Sequence, residues 1–285
     1  MKNWISKFCF LLSLFAATFC HSTESYFYVL KDPYPNTGLF AVFQTVLCFL
    51  DLYEQNSHQW NGFEVNFGVE GVYWTKMKGS NWWHYYFEPI QRPPKRPIRG
   101  IQYIDIFGLT KMRAREISRT LGHQLIEKYI KIHNTIKTEA ENFYEKNLQN
   151  AFIIGVHYRG TDKIIETPRV SYDTVYEKIV TIMQETPKQN MKIFIATDEE
   201  AFICFMKDKF QNNIYYTNAT RSMNSLPVHL HYNQDPYKNG KEALIDCLLL
   251  SKCNALVRTE SHLSNTALML NLDLVPHTLN SYRRQ

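Results

Sequence analysis

The chain reads as an α/β protein, with a Rossmann-like parallel sheet and flanking helices in its second half. Three observations lead there. Short apolar, partly β-branched runs recur at residues 151–157, 192–197, 213–217, 255–259 and 272–275. Helical patterns separate them at 172–185, 199–210, 241–252 and 262–271. Strands alternating with helices of about 10–15 residues make βαβ units, and βαβ units make a parallel sheet. The residues leaving the strands are polar, as expected where loops gather at the carboxyl edge of such a sheet.

Taken in order, the chain opens with Lys2 and Lys7 ahead of an apolar run from Phe8 to Phe19, followed by small or polar residues. This is the pattern of a signal peptide over residues 1–22, with a single uncleaved N-terminal membrane anchor as the rival. Residues 26–30 are aromatic and aliphatic side chains throughout and predict a first strand. A turn over 32–38 ends in Gly38, and residues 39–53 are apolar enough for a largely buried helix. Strand, glycine turn and helix is how a nucleotide-binding βα unit begins, which makes Gly38 a candidate ligand-binding position, with a plain helix start as the alternative.

Residues 60–97 are dense in aromatics, Gly and Pro around Asn81-Trp82-Trp83-His84-Tyr85-Tyr86-Phe87. They predict irregular chain or short strands, with the rings forming a small satellite core rather than a sugar-stacking surface. From 111 to 148, apolar residues three and four apart predict an amphipathic helix or helical pair, with Gly122 a weak point inside it. A break at 147–150 divides residues 23–150, an N-terminal α/β domain, from residues 151–285, the Rossmann-like half.

Composition narrows the class. At 285 residues and 45% hydrophobic, the chain is an ordinary globular protein without low-complexity tracts. Net charge is +5, and +3 without Lys2 and Lys7. That suits a small anionic ligand and argues against a nucleic-acid surface, which needs a clustered basic stripe. Cys48, Cys204, Cys247 and Cys253 lack CxxC spacing, so neither zinc nor dithiol chemistry is indicated. One or two disulfides and buried free thiols both fit these positions. Asn218-Ala219-Thr220 is an N-glycosylation acceptor if the host is a eukaryote.

The chemistry concentrates where the 151–157 strand gives way to Tyr158-Arg159-Gly160-Thr161-Asp162-Lys163. His157 and Arg159 share one face of the strand, with Val156 and Tyr158 on the other. An arginine and a lysine at a strand carboxyl end suit a phosphate, although a solvated turn is the plain alternative. The second strand ends in Thr197, Asp198 and Glu199, and the fourth in Thr259, Glu260, Ser261 and His262. Ser261 is suited to cap a helix whose N-terminus could also hold a phosphate. There is no GxxxxGK[ST], GxGxxG, GxSxG or HExxH, and no DxD-type acidic pair.

Val156-His157-Tyr158-Arg159-Gly160-Thr161-Asp162-Lys163 resembles the donor-binding motif of the α1,6-fucosyltransferases, their nodulation relatives and the protein O-fucosyltransferase superfamily. Ile195-Ala196-Thr197-Asp198-Glu199 is similar to their second motif. Ala243-Leu244-Ile245-Asp246 with residues 256–262 is similar to the third. The resemblance covers roughly residues 150–270. It implies a GT-B fold of two Rossmann-like halves, and inverting, metal-independent transfer of fucose from GDP-fucose to a glycan or glycoprotein.

Position by position, the resemblance implies that His157 and Asp246 hold guanine, while Arg159 and Lys163 hold the diphosphate. Asp162, Asp198, Ser261 and His262 complete the donor site. Glu166 is the implied general base, with Arg159 meeting the charge on the leaving group. The sequence departs from the family at Gly160, where a second arginine is usual, at Glu260 and His262, and in the offset of Glu166 by about one residue. A non-catalytic, translocated nucleotide- or glycan-binding module with the same fold is the rival reading. The leader places the chain in the endoplasmic reticulum or Golgi lumen of a eukaryote, or in a bacterial cell envelope.

Overall fold

The computed structural model describes residues 26–31, 37–57, 60–69, 71–105, 117–160, 169–186, 190–222 and 235–280. The leader, residues 111–116 of the expected helical stretch, and Asp162, Lys163 and Glu166 lie outside the described residues.

The first half is built on β1 (Tyr26–Lys31), which pairs in parallel with β2 (Phe63–Val65) on one side and β4 (Gly100–Asp105) on the other. A two-residue β3 (Gln91–Arg92) runs antiparallel along β2, giving the order β3-β2-β1-β4. Between β1 and β2 lies α1 (Leu39–Asn56), in which Leu39, Val42, Phe43, Val46, Leu47, Phe49 and Leu50 are buried. A helix apolar around most of its circumference must be covered on several sides. Here the first sheet covers one side and the helices of the second half another.

Strand β4 has no counterpart in the sequence reading. Its Ile101 and Tyr103 sit on an edge and are 49% and 59% exposed. Half-burial of that kind weakens the alternation by which a strand is recognised. The aromatic segment also differs from expectation. Trp82, Trp83, Tyr86 and Phe87 are buried in the main core with α1, not in a satellite. The cause is a 3₁₀ turn at Trp82–Tyr85, fixed by Asn81, whose Oδ1 accepts from Phe67 N and Trp83 N while Nδ2 donates to Val65 O. The turn tucks its rings under α1, where Trp83 stacks on Phe87 at 4.2 Å.

The helical pair follows as α2 (Arg119–Tyr129) and α3 (Asn134–Asn147). Gly122 is a close-packing point: a Cβ there would lie 2.5 Å from Met269 Sδ. The second half then runs β5 (Phe152–Tyr158), α4 (Tyr172–Glu185), β6 (Met191–Thr197), α5 (Glu200–Phe210), β7 (Ile214–Tyr215), α6 (Pro236–Ser251), β8 (Ala255–Thr259), α7 (His262–Leu270) and β9 (Val275–Asn280). All five strands are parallel, in the order β7-β6-β5-β8-β9. Relative to that half the order is 3-2-1-4-5, the doubly wound arrangement.

Two boundaries move for physical reasons. Helix α6 starts at Pro236 because Asp235 caps it, accepting from Tyr237 N, and proline suits the first turn. Strand β9 begins at Val275 because Leu274 is buried in the turn before it, while Val275 lies on the sheet edge at 52% exposure. Among the described residues no helix is long and apolar enough to cross a membrane, and no disulfide joins Cys48, Cys204, Cys247 and Cys253.

Candidate functional site

Strand β5 sets the site by its period of two. Ile154, Val156 and Tyr158 point into the core beneath α4 and α5. Ile153 joins the opposite core, and Gly155 faces α6 so closely that a Cβ would lie 2.9 Å from Cys253 Sγ and 3.2 Å from Leu250. His157 and Arg159 continue that second face past the last apolar residue. The close approach at Gly155 lays α6 along it and brings Asp246 into the same cavity as His157 and Arg159.

This cavity of about 120 Å³ sits at the carboxyl ends of β5 and β6. Ala196, Ala219, Ala243 and Leu263 contribute small apolar walls, and Tyr73, Arg159, Asp198, Asn239, Glu242 and Asp246 contribute polar groups. Crevices outside the carboxyl ends of the strands are where open α/β sheets bind ligands.

At one end of the cavity Asp246 is 6% exposed and accepts from Thr217 Oγ1 at 2.7 Å. Burial raises its carboxyl to about 7, opposed by the Thr217 hydrogen bond and the Arg221 charge. Arg221 is held in place by donating to the carbonyls of Thr217 and Ala219. His157 is held neutral, its imidazole lowered to about 3 by burial and then by the Arg159 charge. Its Nδ1 faces Thr259 O at 3.4 Å, which assigns the proton to Nδ1 and leaves Nε2 as an acceptor. This end therefore offers acceptors, and it suits a ligand edge rich in N–H donors.

Arg159 supplies the positive charge. Its backbone N–H donates to Thr259 Oγ1 at 2.9 Å, and its Nε lies 4.0 Å from Asp198 Oδ2. Asp198 also accepts from Gly160 N at 3.3 Å, so it braces the start of the loop that follows β5. Arg258, buried on β8 and bonded to Ser264, Asn265 and Thr278, adds a second fixed cation beneath His157. Gly160 has a steric reason to be glycine: a Cβ would lie 2.3 Å from Glu199 Oε1 and 2.8 Å from Tyr158 Cε1. That carboxylate is itself pinned by the Arg169 guanidinium at 3.0 Å and the Tyr172 hydroxyl at 2.6 Å. The space an arginine at 160 would need is thus taken by the buried Glu199 carboxylate and the half-exposed Arg169 that pairs with it.

The other sequence candidates fall as follows. Ser261 is buried, 3.5 Å from His157 Nδ1, and makes a reciprocal capping box with Ser264 at the start of α7. His262 faces α1, with Nδ1 bonded to Gln44 Oε1 at 2.7 Å, and does not line the cavity. Gly38 caps α1 through its carbonyl, which Ala41 N and Val42 N approach at 3.0 and 3.1 Å. It adjoins the cavity through Tyr73, whose hydroxyl accepts from Leu39 N at 2.9 Å.

Tyr73, Asn239 and Glu242 were not singled out from the sequence, and Thr220 only as part of the glycosylation acceptor. Counting back from Asp246 by three, four and seven would have found Ala243, Glu242 and Asn239. Tyr73 carries no local signal. Asn218 of the glycosylation acceptor is exposed beside Ala219 and Thr220, which line the cavity. Among the described residues no group of three or more His, Cys, Asp or Glu is placed to hold a metal ion.

The fold is similar to that of solved fucosyltransferases. NodZ α1,6-fucosyltransferase soaked with GDP-fucose superposes with a TM-score of 0.57 at 17% identity, covering 86% of this chain and 92% of that one. Fucosyltransferase NodZ from Bradyrhizobium gives 0.56 at 18% identity, covering 87% and 94%. Arabidopsis thaliana FUT1 in complex with GDP gives 0.52 at 13% identity, covering 88% and 70%. At these identities the likeness is one of fold, and the fold is GT-B-like. No protein-family model matches the chain, and no curated protein matches it in sequence.

Proposed function

We propose that this chain is a glycosyltransferase that moves fucose from GDP-fucose to a hydroxyl of a glycan or glycoprotein, with inversion and without a metal or other cofactor. One observation carries the reading. A single cavity at the carboxyl edge of a doubly wound sheet joins a buried, acceptor-rich end at Asp246 and His157 to a cationic end at Arg159. Guanine presents adjacent N–H and NH₂ donors that a carboxylate accepts in pairs, and a diphosphate needs the cation.

In this account the acceptor hydroxyl oxygen attacks the anomeric carbon and its proton passes to the Glu166 carboxylate. The bond from that carbon to the β-phosphate oxygen breaks, and its electron pair leaves with GDP. Arg159 and Lys163 meet the charge that builds on the diphosphate. Asp198 keeps Arg159 and the loop start in place, and Ser261 with Asp162 supports the phosphate side. Residues 1–22 act as a signal peptide or anchor and residues 23–150 carry the acceptor side. The location is the endoplasmic reticulum or Golgi lumen of a eukaryote, or the cell envelope of a bacterium.

The test is release of GDP from GDP-fucose, with GDP-mannose and UDP-sugars as controls, with and without glycan acceptors. The proposal expects selective turnover of GDP-fucose, falling by about 10²–10³-fold in Arg159→Ala. A folded protein that binds GDP but turns over no GDP-sugar would establish the binding module instead.

A further inference from the structure

Along α6 the residues facing the cavity are Asn239, Glu242, Ala243 and Asp246, one stripe of the helix. Two of its polar members have partners within the chain. Glu242 Oε2 accepts from Thr220 N at 2.9 Å, its Oε1 lies 3.5 Å from Lys238 Nζ, and Asp246 accepts from Thr217. Asn239 differs: its Oδ1 is buried and has no hydrogen-bond partner among the described residues. A buried acceptor left unpaired is destabilising, and in a native structure it calls for a partner that the described residues do not supply.

Position says what that partner is. The seven-residue step from Asn239 to Asp246 advances roughly 10 Å along the helix axis. A base edge held at Asp246 ends before Asn239, so the amide lies beside the sugars of a bound nucleotide, in the cavity it shares with Arg159 and Tyr73. A sugar hydroxyl both donates and accepts, and so satisfies the amide in either of its two orientations.

We propose that Asn239 is a specificity-determining residue of this pocket, its side-chain amide hydrogen-bonded to a sugar hydroxyl of the nucleotide. The inference rests on the nucleotide-sugar reading above. The hydroxyl belongs either to the ribose or to the transferred sugar, and one experiment separates the two.

Calorimetric binding of GDP, 2′-deoxy-GDP, 3′-deoxy-GDP and GDP-fucose is compared on the wild-type chain, Asn239→Ala and, as a base-contact control, Asp246→Asn. Thermal melting accompanies each. Asn239→Ala is expected to melt no lower than wild type, because it deletes a buried oxygen that has no partner among the described residues. With a ribose contact it loses about 5–10-fold in GDP affinity, and one deoxy analogue then costs it nothing further. With a contact to the transferred sugar, GDP binding is unchanged and GDP-fucose binding drops by the same factor.

Wild-type affinity of Asn239→Ala for all four ligands, alongside lost GDP binding in Asp246→Asn, would overturn this proposal and leave the nucleotide reading standing. A lowered melting point with uniform loss across the ligands would likewise overturn it, showing a structural role. No nucleotide binding by the wild-type chain would remove both.

Discussion

Asp246 carries the sharpest pH consequence of the site. Its folded carboxyl sits near 7, pushed up chiefly by burial, against an ordinary value of 3.8. A raised acid favours the folded state below its unfolded value and loses that contribution as pH rises through the folded one. Asp246→Asn, a neutral near-isostere, should therefore gain stability over wild type between pH 5 and 7, by roughly 2–3 kcal/mol, and hold that gain at higher pH. Denaturant melts at pH 5, 6, 7 and 8 check it, and a gap that does not change with pH contradicts it. Gly160→Ala should destabilise by about 1–3 kcal/mol, since the methyl meets a carboxylate that Arg169 and Tyr172 hold in place. Chemical denaturation measures the loss. At this scale His157, Arg159 and Asp246 were legible because a motif and a strand period mark them. Asn239 and Tyr73 were not, since each matters only through what tertiary packing brings near it.

Elements place the residues. Helix α6 can lie against β5 only because Gly155 has no side chain to strike Cys253 and Leu250. Gly155→Val should cost about 1–3 kcal/mol and weaken nucleotide binding as well, because shifting α6 moves Asp246 and Glu242 together. A substitution that lowers the melting point yet leaves affinity intact would detach the helix from the site. Strands β5, β6 and β8 and helix α4 were readable from the sequence because each is buried on a regular period and bounded by turn or capping residues. Strand β4 and the true start of β9 were hidden, because edge strands expose their apolar residues and break the pattern. The aromatic run around Trp82 gave composition without direction, and only the Asn81 hydrogen bonds decide that it folds inward.

For the whole molecule, the two sheets share one core. Buried residues of α1, the Trp82 turn, α2, α3, α6 and α7 form a single cluster that reaches Phe194 and Leu256 of the second sheet. Polar contacts cross the same boundary, from Gln44 to His262 and from the Tyr86 hydroxyl to the carbonyls of Pro236 and Tyr237. Every tryptophan lies before residue 84, so tryptophan emission reports the first half while far-ultraviolet circular dichroism reports the helices of both. A shared core predicts coincident unfolding by the two probes, and separate midpoints would contradict it.

The central claim is that this fold binds a guanine nucleotide through a buried carboxylate and Arg159. Calorimetry of GDP, UDP and ADP against the wild-type chain and Arg159→Ala tests it most directly. The account predicts binding selective for GDP and weakened at least tenfold in the variant, with both proteins folded. Equal affinity for all three nucleotides, or none for any, would contradict it.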